Sequence, residues 1–301
     1  MDWKGRTALI TGGVSGIGFG IARAFCAAGI DLVLTWRNEA YRTRAEAWFA
    51  DGGHHPMPRF FELDVTDRAG WSDVADRVGP VHILVNNAGV SVFGPTDEAS
   101  YADYDWIMGV NFGGVVNGLV TFVPRIKAQG QGGHIVNVAS MAAYLSGPQA
   151  GIYTASKFAV RGLTECLRGN LAPYGIGVSL VCPGLTRTNA WDSALKRPAA
   201  FAASGFAPPD RGELERFGTA FEAGMDPLEV GEKVLAGMSE NRAVIFTHPE
   251  YAEDFAEIYR ASVAALPDEP VPEARQHIER LRREANRAAA AGKRIGLDDL
   301  T

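Results

Sequence analysis

The chain has 301 residues, of which 47% are hydrophobic and 21% charged, proportions that exclude global disorder and allow a large core. The formal net charge of −6 argues against a nucleic-acid partner, because binding phosphates along a nucleic acid requires a basic face. No apolar stretch approaches the length of a membrane span, and the first residues lack the pattern of a signal peptide, so we expect a soluble cytoplasmic protein without a membrane partner.

Strand-like and helix-like segments alternate along most of the chain. Short apolar runs predict strands, and runs with a period near 3.6 residues predict the helices between them. This alternation predicts an α/β fold with a parallel sheet covered by helices on both faces. The predicted strands are 7–10, 31–35, 60–65, 81–85, 135–138, 178–181 and 243–246, and the predicted helices are 16–28, 39–51, 67–78 (capped by Thr66), 101–127, 151–172 and 228–240.

Two segments depart from the alternation. Residues 189–225 are irregular and rich in Ala, Phe, Gly and Pro, and we predict that they form a lid over the substrate, with hinges at Gly205 and Gly212. Residues 249–301 form a polar, helical C-terminal extension, suited to a surface helix or an oligomer contact. We therefore expect one domain over residues 1–248, with 249–301 as an extension of the same domain.

The three cysteines, Cys26, Cys166 and Cys182, lie in apolar segments without the spacing of metal ligands. Buried, reduced thiols and no metal site are the expectation.

A glycine-rich turn follows the first strand. Its spacing, G-x-x-x-G-x-G, removes Cβ atoms where the backbone would approach a pyrophosphate, and the helix that follows directs free N–H groups at it. An ordinary tight turn between strand and helix would also use these glycines. The residues that we predict to bind a dinucleotide here are Gly12, Ser15, Gly16, Ile17 and Gly18.

Arg37 follows the second strand, at the position that faces the adenosine ribose in a dinucleotide-binding fold. An acidic residue there would accept from the 2′-hydroxyl, whereas arginine favours a 2′-phosphate, so NADP(H) is preferred and NAD(H) remains possible. Trp36 and Arg37 could sandwich the adenine. Asp64, beside Val65, could accept from the adenine amino group, although a solvated arginine and a helix-preceding aspartate are the ordinary alternatives.

Tyr153 and Lys157 lie four residues apart in a predicted helix and therefore on one face of it. A nearby ammonium should lower the pKa of the phenol from its ordinary value near ~10, and oxidised nicotinamide adds a second positive charge. Tyr153 is thus the candidate general acid in reduction and general base in oxidation. Lys157 has two plausible roles, tuning Tyr153 and holding the ribose hydroxyls, and both residues are also predicted to bind the cofactor. Ser140, at the end of the fifth strand, could hold the substrate oxygen. Asn111, inside a helix, could bend it and hold a water linked to Lys157.

Together these residues resemble the signature set of the classical short-chain dehydrogenase/reductase family, over about residues 4–248. The resemblance implies a Rossmann-type, doubly wound, seven-stranded sheet and hydride transfer between a nicotinamide and a carbinol or carbonyl carbon. The motifs that carry it are Thr11–Gly18, Asp64-Val65, Asn86-Asn87-Ala88-Gly89, Asn111, Ser140, Tyr153-x-x-x-Lys157 and Pro183-Gly184.

The resemblance also implies roles for individual residues. Asn111, Ser140, Tyr153 and Lys157 would form the catalytic tetrad. Many relatives are dimers or tetramers, and a homodimer is as expected here as a homotetramer, because the C-terminal extension could block one interface. Further cofactor contacts implied by the resemblance are Asn87, Ala88 and Gly89, with Pro183, Gly184 and Thr188 near the nicotinamide.

The candidate substrate residues are apolar or aromatic, without a cluster of Arg or Lys, which favours a small hydrophobic or aromatic secondary alcohol or ketone. Several of them could instead only pack the lid onto the sheet. Three other functions stay open: an NAD-dependent alcohol dehydrogenase, a non-catalytic dinucleotide sensor, and an epimerase or dehydratase. The candidates are Val92, Phe93, Met141, Tyr144, Leu185 and Trp191, with Phe201 beside them, and the lid adds Phe206, Phe217 and Phe221.

Overall fold

The computed structural model describes residues 2–53, 56–208 and 210–300. Seven parallel strands form one sheet in the order β3-β2-β1-β4-β5-β6-β7, which confirms the predicted doubly wound architecture. The order reverses between β1 and β4, the place where such sheets bind ligands. The strands are β1 Thr7–Ile10, β2 Asp31–Trp36, β3 Arg59–Glu62, β4 Ile83–Asn86, β5 Gly133–Val138, β6 Ile176–Cys182 and β7 Val244–Phe246.

Helices connect the strands and cover both faces of the sheet. The long predicted helix is two helices, Tyr101–Met108 (α4) and Gly114–Gln129 (α5), joined by a π-helical turn at Gly109–Gly113. The helices are α1 Gly16–Ala27, α2 Glu39–Asp51, α3 Arg68–Arg77, α4 Tyr101–Met108, α5 Gly114–Gln129, α6 Gly151–Leu171, α7 Arg211–Phe221, α8 Pro227–Ser239, α9 Ala252–Ala264 and α10 Glu273–Ala290.

The cap of α3 differs from the prediction. The Thr66 hydroxyl donates to Asp64 at 2.7 Å, so this side chain is engaged before the helix begins. Asp67 caps the helix instead and accepts from the backbone N–H of Ala69 at 2.9 Å.

The core consists of two layers, one on each face of the sheet. Neighbouring residues of a strand point to opposite faces, so Leu9 and Leu84 lie in one layer and Ile10 and Val85 in the other. All four are fully buried, as expected for a parallel sheet covered on both sides.

The helical stretch Tyr101–Gln129 is long and apolar enough to cross a membrane by length and composition, contrary to the expectation from the sequence. Half of that apolar stretch is buried inside the fold. Trp106, Phe122 and Ile126 belong to the same core layer as Leu84 of the sheet. Its apolarity is therefore explained by packing against the strands.

The cysteines are all free thiols, but only Cys182 is buried. Cys166 is exposed on α6, so the prediction of a buried thiol was wrong there. In the described part of the chain, no group of three or more His, Cys, Asp or Glu is placed to hold a metal ion.

The C-terminal helices pack on the Rossmann sheet and its helices. The ring of Phe255 in α9 lies 5.1 Å from that of Tyr144 and 5.2 Å from that of Phe246. At the other end, α10 passes α6 so closely that a Cβ on Gly169 would lie 3.3 Å from the Cβ of Ala289. The boundary at residue 248 stays a prediction.

His134 of β5 is a buried histidine whose stability contribution depends on pH. Its Nε2 lies 2.8 Å from the Ser179 hydroxyl, which donates to the Arg242 carbonyl at 2.6 Å, so His134 must be the donor to Ser179. Burial, assisted by the charge of Arg168, lowers the pKa of His134 to about 3. Between that value and the ordinary pKa of about 6.5, the unfolded chain binds a proton that the folded chain excludes. Stability is therefore lost as pH falls from 6.5 towards 3.

We predict that His134→Gln, which keeps a donor for Ser179, reduces this acid sensitivity. Between pH 7 and pH 5 the unmodified chain should lose about 1–2 kcal/mol more free energy of unfolding than the variant. Urea unfolding at both pH values measures this difference in free energy. The carboxylates are the same in both proteins, so their contribution cancels in the comparison. Equal losses of unfolding free energy in the two proteins would contradict the lowered pKa of His134.

Candidate active site

The glycine turn forms one wall of a cleft at the carboxyl ends of the strands. Gly12 and Gly16 have φ angles of +62° and +51°, a left-handed conformation that favours glycine. Ser15 is the N-cap of α1, but its side chain makes no capping hydrogen bond, and the first turn of α1 carries no acidic residue. The N–H groups at the start of α1 are thus available to an anion, which fits a dinucleotide pyrophosphate.

Hydrogen bonds from the end of β4 hold this turn in place. The Thr11 hydroxyl accepts from the backbone N–H groups of Asn87 and Ala88 at 2.8 and 3.0 Å. The Asn87 amide donates to the Thr11 carbonyl at 2.9 Å. A Cβ on Gly18 would collide with the Asn87 amide and the Gly12 carbonyl, so only glycine allows this packing.

The cleft beside the turn has a volume of about 390 Å³. Most predicted cofactor residues line it, but Gly18, Asp64, Pro183 and Gly184 do not. The predicted residues that line it are Gly12, Ser15, Gly16, Ile17, Trp36, Arg37, Val65, Asn87, Ala88, Gly89, Tyr153, Lys157 and Thr188.

At the end of β2, Arg37 forms an ion pair with Asp64, with 3.5 Å between their side-chain atoms and both side chains roughly half exposed. Asp64 also accepts from the Thr66 backbone N–H at 2.9 Å. Asp64 is therefore occupied within its own loop, and its predicted contact with adenine stays a prediction. Arg42, rather than Arg37, lies over the Trp36 ring, at 5.7 Å.

Tyr153, Ser140 and Lys157 meet at the far end of the cleft. The Ser140 side chain lies close enough to the Tyr153 phenol to favour its phenolate form, and the Ser140 oxygen accepts from the Ala142 N–H at 3.1 Å. The Lys157 ammonium lies 5.5 Å from the centre of the Tyr153 ring and donates to the Val138 carbonyl at 3.3 Å.

The electrostatics of this group differ from the sequence-based expectation. Burial raises the pKa of Tyr153, and the Ser140 side chain offsets only part of this effect. Burial also lowers the pKa of the Lys157 ammonium to about 8. Since desolvation disfavours the charged form of both groups, the predicted lowering of the phenol pKa by Lys157 alone was wrong.

Asn111 lies in the π-turn between α4 and α5, which confirms the predicted distortion of the helix at this residue. Its amide oxygen accepts from the Val90 N–H at 2.8 Å, and its nitrogen donates to the Val90 carbonyl at 3.0 Å and the Ser156 hydroxyl at 3.1 Å. A Cβ on Gly89 would lie 3.1 Å from the Asn111 oxygen and 3.6 Å from the Lys157 nitrogen. Both polar groups therefore converge on Gly89.

The loop after β6 is divided between the cleft and the interior. Thr188 lines the cleft, with its methyl group close to Gly16. The Gly184 N–H donates to His248 Nδ1 at 3.0 Å, and the Pro183 carbonyl accepts from the Met141 N–H at 2.9 Å. His248 was not predicted, since it follows Gly184 by 64 positions.

None of the six predicted substrate residues lines this cleft. Val92 and Met141 are 4% exposed and belong to the core, which favours the alternative of packing, and their role as substrate residues stays a prediction. Tyr144 stacks beneath the Arg161 guanidinium, 3.8 Å from its ring centre. Trp191 packs against Gly218 of α7, and Leu185 is 39% exposed.

Phe93 is a predicted substrate residue whose ring lies beside that of Tyr153. Its ring lies 6.2 Å from the Tyr153 ring and 5.4 Å from the Phe217 ring. Phe217 continues to Phe221 at 5.3 Å. An aromatic row thus runs from Tyr153 to α7 of the lid.

The base of the lid is tied to α4 through Asp103. This fully buried carboxylate pairs with Arg197 at 2.7 Å and accepts from the Ser204 hydroxyl and the Gly205 N–H. Burial favours the neutral acid, but hydrogen bonds from Ser100, Ser204 and Gly205 hold the pKa of Asp103 well below its usual range. In this conformation the Gly205 N–H is held by Asp103. The predicted hinges at Gly205 and Gly212 stay predictions.

Comparison with known proteins agrees with this geometry. Residues 6–198 match the family described as short chain dehydrogenase. The C alpha-dehydrogenase of Sphingobium sp. (strain NBRC 103272 / SYK-6) is 35% identical over 305 residues, covering 98% of this chain and 99% of the relative. A short-chain dehydrogenase structure from Novosphingobium aromaticivorans is 36% identical with a TM-score of 0.81, covering 97% of this chain and 99% of that one. Another from Burkholderia phymatum, in complex with NAD, is 32% identical with a TM-score of 0.81, covering 90% and 99%.

We predict that Gly18→Ala disrupts the turn, because the new methyl group must displace the Gly12 backbone. The dissociation constant for a nicotinamide dinucleotide should rise at least about tenfold, and the free energy of unfolding should fall by about 1–3 kcal/mol. The control is Gly162→Ala, a helical glycine whose Cβ would meet open space. Fluorescence titration and urea unfolding measure both effects. A Gly18→Ala protein indistinguishable from the control would refute the packing argument.

Proposed function

The chain belongs to the short-chain dehydrogenase family and is an oxidoreductase of that family, and we propose that it interconverts a hydrophobic or aromatic secondary alcohol and its ketone with NADP(H). The observation that carries the proposal is the Tyr153 phenol, which lines the dinucleotide cleft and has Ser140 and Lys157 beside it. A group of this kind can transfer a proton to or from a substrate oxygen at the cleft.

Each catalytic residue of the chain would have a separate role in the reaction. The nicotinamide, when bound, supplies or accepts the hydride, and its oxidised ring adds positive charge. Ser140 holds the substrate oxygen, and Tyr153 gives its proton to that oxygen in reduction or removes the alcohol proton in oxidation. The raised pKa of Tyr153 keeps the phenol protonated at neutral pH, which suits the acid role. Lys157, with a pKa of about 8, is mostly charged at neutral pH and could hold the ribose hydroxyls.

The substrate class rests on the aromatic row. Phe93, beside Tyr153, is 39% exposed, and Phe217, in α7 of the lid, is 41% exposed. Exposed aromatic rings beside a binding cleft favour an apolar ligand over a phosphorylated one. A hydrophobic or aromatic alcohol would cover these rings.

The cofactor preference rests on Arg37. It lines the cleft at the end of β2, where a cation favours the 2′-phosphate of NADP(H). NAD(H) remains the alternative, since Arg37 shares its charge with Asp64 and the relative from Burkholderia phymatum holds NAD.

We also propose a cytoplasmic homodimer or homotetramer. Large apolar side chains are exposed on the helices that carry Asn111 and Tyr153: Tyr101 is 89% exposed, Val120 69% and Phe158 43%. A second subunit on this face would remove them from water. The division into residues 1–248 and a 249–301 extension is kept as part of this proposal.

Tyr153→Phe tests the catalytic role. The variant should lose about 10²–10⁴-fold in kcat, because it lacks the proton that general acid catalysis requires. Its affinity for NADPH should stay within about twofold. The assay is absorbance of reduced nicotinamide with a panel of aryl and alicyclic ketones and both cofactors.

The control is Tyr259→Phe, which removes the same hydroxyl from an exposed residue of α9. A folded Tyr153→Phe protein with the parent's kcat would sink the mechanism. If the unmodified protein bound dinucleotide but turned over none of the ketones or alcohols, a sensor would be the correct function.

Arg37→Asp tests the cofactor preference. Placing a carboxylate where the 2′-phosphate is expected should weaken NADPH binding at least about tenfold more than NADH binding. Arg260→Asp makes the same charge change on an exposed part of α9 and should affect neither. Titration of both reduced cofactors measures the dissociation constants. Equal losses for NADPH and NADH would show that Arg37 does not face the 2′-position.

A further inference from the structure

The start of the lid crosses the dinucleotide cleft and reaches the opposite wall. Thr188 contacts the glycine turn at Gly16. A few residues later, the Asn189 amide donates to the Tyr41 hydroxyl at 2.5 Å, and the Lys196 ammonium donates to the same hydroxyl at 3.1 Å. We call Tyr41, Asn189 and Lys196 the lid bridge. All three line the cleft together with Gly16 and Arg37.

Tyr41 determines where along the cleft Lys196 lies. It occupies the first turn of α2, which begins at Glu39 directly after the N-cap Asn38. Arg37 immediately precedes that cap, so the bridge reaches the cleft at the end where β2 stops. Lys196 and Arg37 are therefore cations from opposite walls, one from the lid and one from the sheet.

The Lys196 ammonium is placed to gain a further partner. An ammonium has three N–H donors. Within the described residues, two of them are used by Tyr41 and by Asp192, whose carboxylate lies 2.6 Å away. The side chain is 42% exposed, so the third donor can meet an oxygen in the cleft. An exposed i,i+4 pair of this kind contributes little to stability by itself.

The charges around the cleft explain why a second cation matters. The charge of Arg37 is shared with Asp64, and that of Lys196 with Asp192. Each wall therefore presents one cation and one carboxylate. A phosphate bound between the walls would be attracted by both cations.

We propose that Lys196 is a phosphate-binding residue of the dinucleotide cleft, supplied by the lid and directed by Tyr41. The inference rests on the proposed function in that its ligand is a nicotinamide dinucleotide. The shared chemistry is a phosphate oxygen, which belongs either to the pyrophosphate of both cofactors or to the 2′-phosphate of NADP(H).

Lys196→Met tests the proposal by binding rather than by turnover. The dissociation constants of NADPH and NADH, measured by fluorescence titration, should rise about five- to twentyfold, and the salt dependence of binding should weaken. A larger loss for NADPH assigns Lys196 to the 2′-phosphate, and equal losses assign it to the pyrophosphate. Lys196→Arg should retain most of the affinity.

The matched control is Lys293→Met, which removes an exposed lysine with an aspartate partner, Asp299, at 2.7 Å on the C-terminal extension. It should change neither constant. Affinities for both cofactors that are unchanged in Lys196→Met would overturn the proposal. This failure is separable from failure of the proposed function, in which the unmodified protein itself would bind no dinucleotide or turn over no substrate.

Tyr41→Phe tests whether the phenol directs the lysine. It removes one hydroxyl and both of its contacts with the lid, and should weaken dinucleotide binding by about as much as Lys196→Met does. The double variant should then be no weaker than Lys196→Met alone, because the two residues act as one unit. Independent, additive losses would overturn the directing role. Thermal unfolding without ligand confirms that each variant is folded.

Discussion

The contact between Thr11 and Asn87 is the constraint on which the rest of the site depends. It joins the end of β1 to the end of β4, where the strand order of the sheet reverses. From this contact the glycine turn extends in one direction towards the start of α1. In the other direction, Asn87 leads to Gly89, which lies against both Asn111 and Lys157. One short series of contacts thus fixes the distance between the phosphate end of the cleft and the proton-transfer end.

Burial governs the chemistry at the proton-transfer end. Tyr153 and Lys157 are both shifted towards their neutral forms, although opposite charges at this distance would shift each towards its charged form. Lys157 is buried and Tyr153 half-buried, so the electrostatics of both groups are sensitive to any further charge in the cleft. A positively charged ring entering the cleft would favour the phenolate far more here than it would in water, because little solvent screens the interaction.

The sequence predicted those features that depend on local pattern. The strands, the glycine turn and the distortion at Asn111 follow from residue types close in the chain, and the structure has all three. Prediction from the sequence failed where several neighbours compete for the same group. Asp67 rather than Thr66 caps α3, because the Thr66 hydroxyl donates to Asp64. The pKa of Tyr153 depends on burial, which no motif encodes. The lid bridge joins residues 155 positions apart, and Val92 and Met141 are buried by elements distant in sequence.

The ion pair between Asp103 and Arg197 divides the lid into two parts with different freedom to vary. The part before Phe206 is bound to α4 through the Asp103 carboxylate, which has no access to water. Replacing Arg197 would therefore leave a buried charge without its partner. The part formed by α7 contributes Phe217 and Phe221 through exposed or half-exposed contacts. The aromatic residues of α7 are therefore freer to change than the residues that precede Phe206, because their replacement would disturb exposed or half-exposed contacts rather than a buried ion pair.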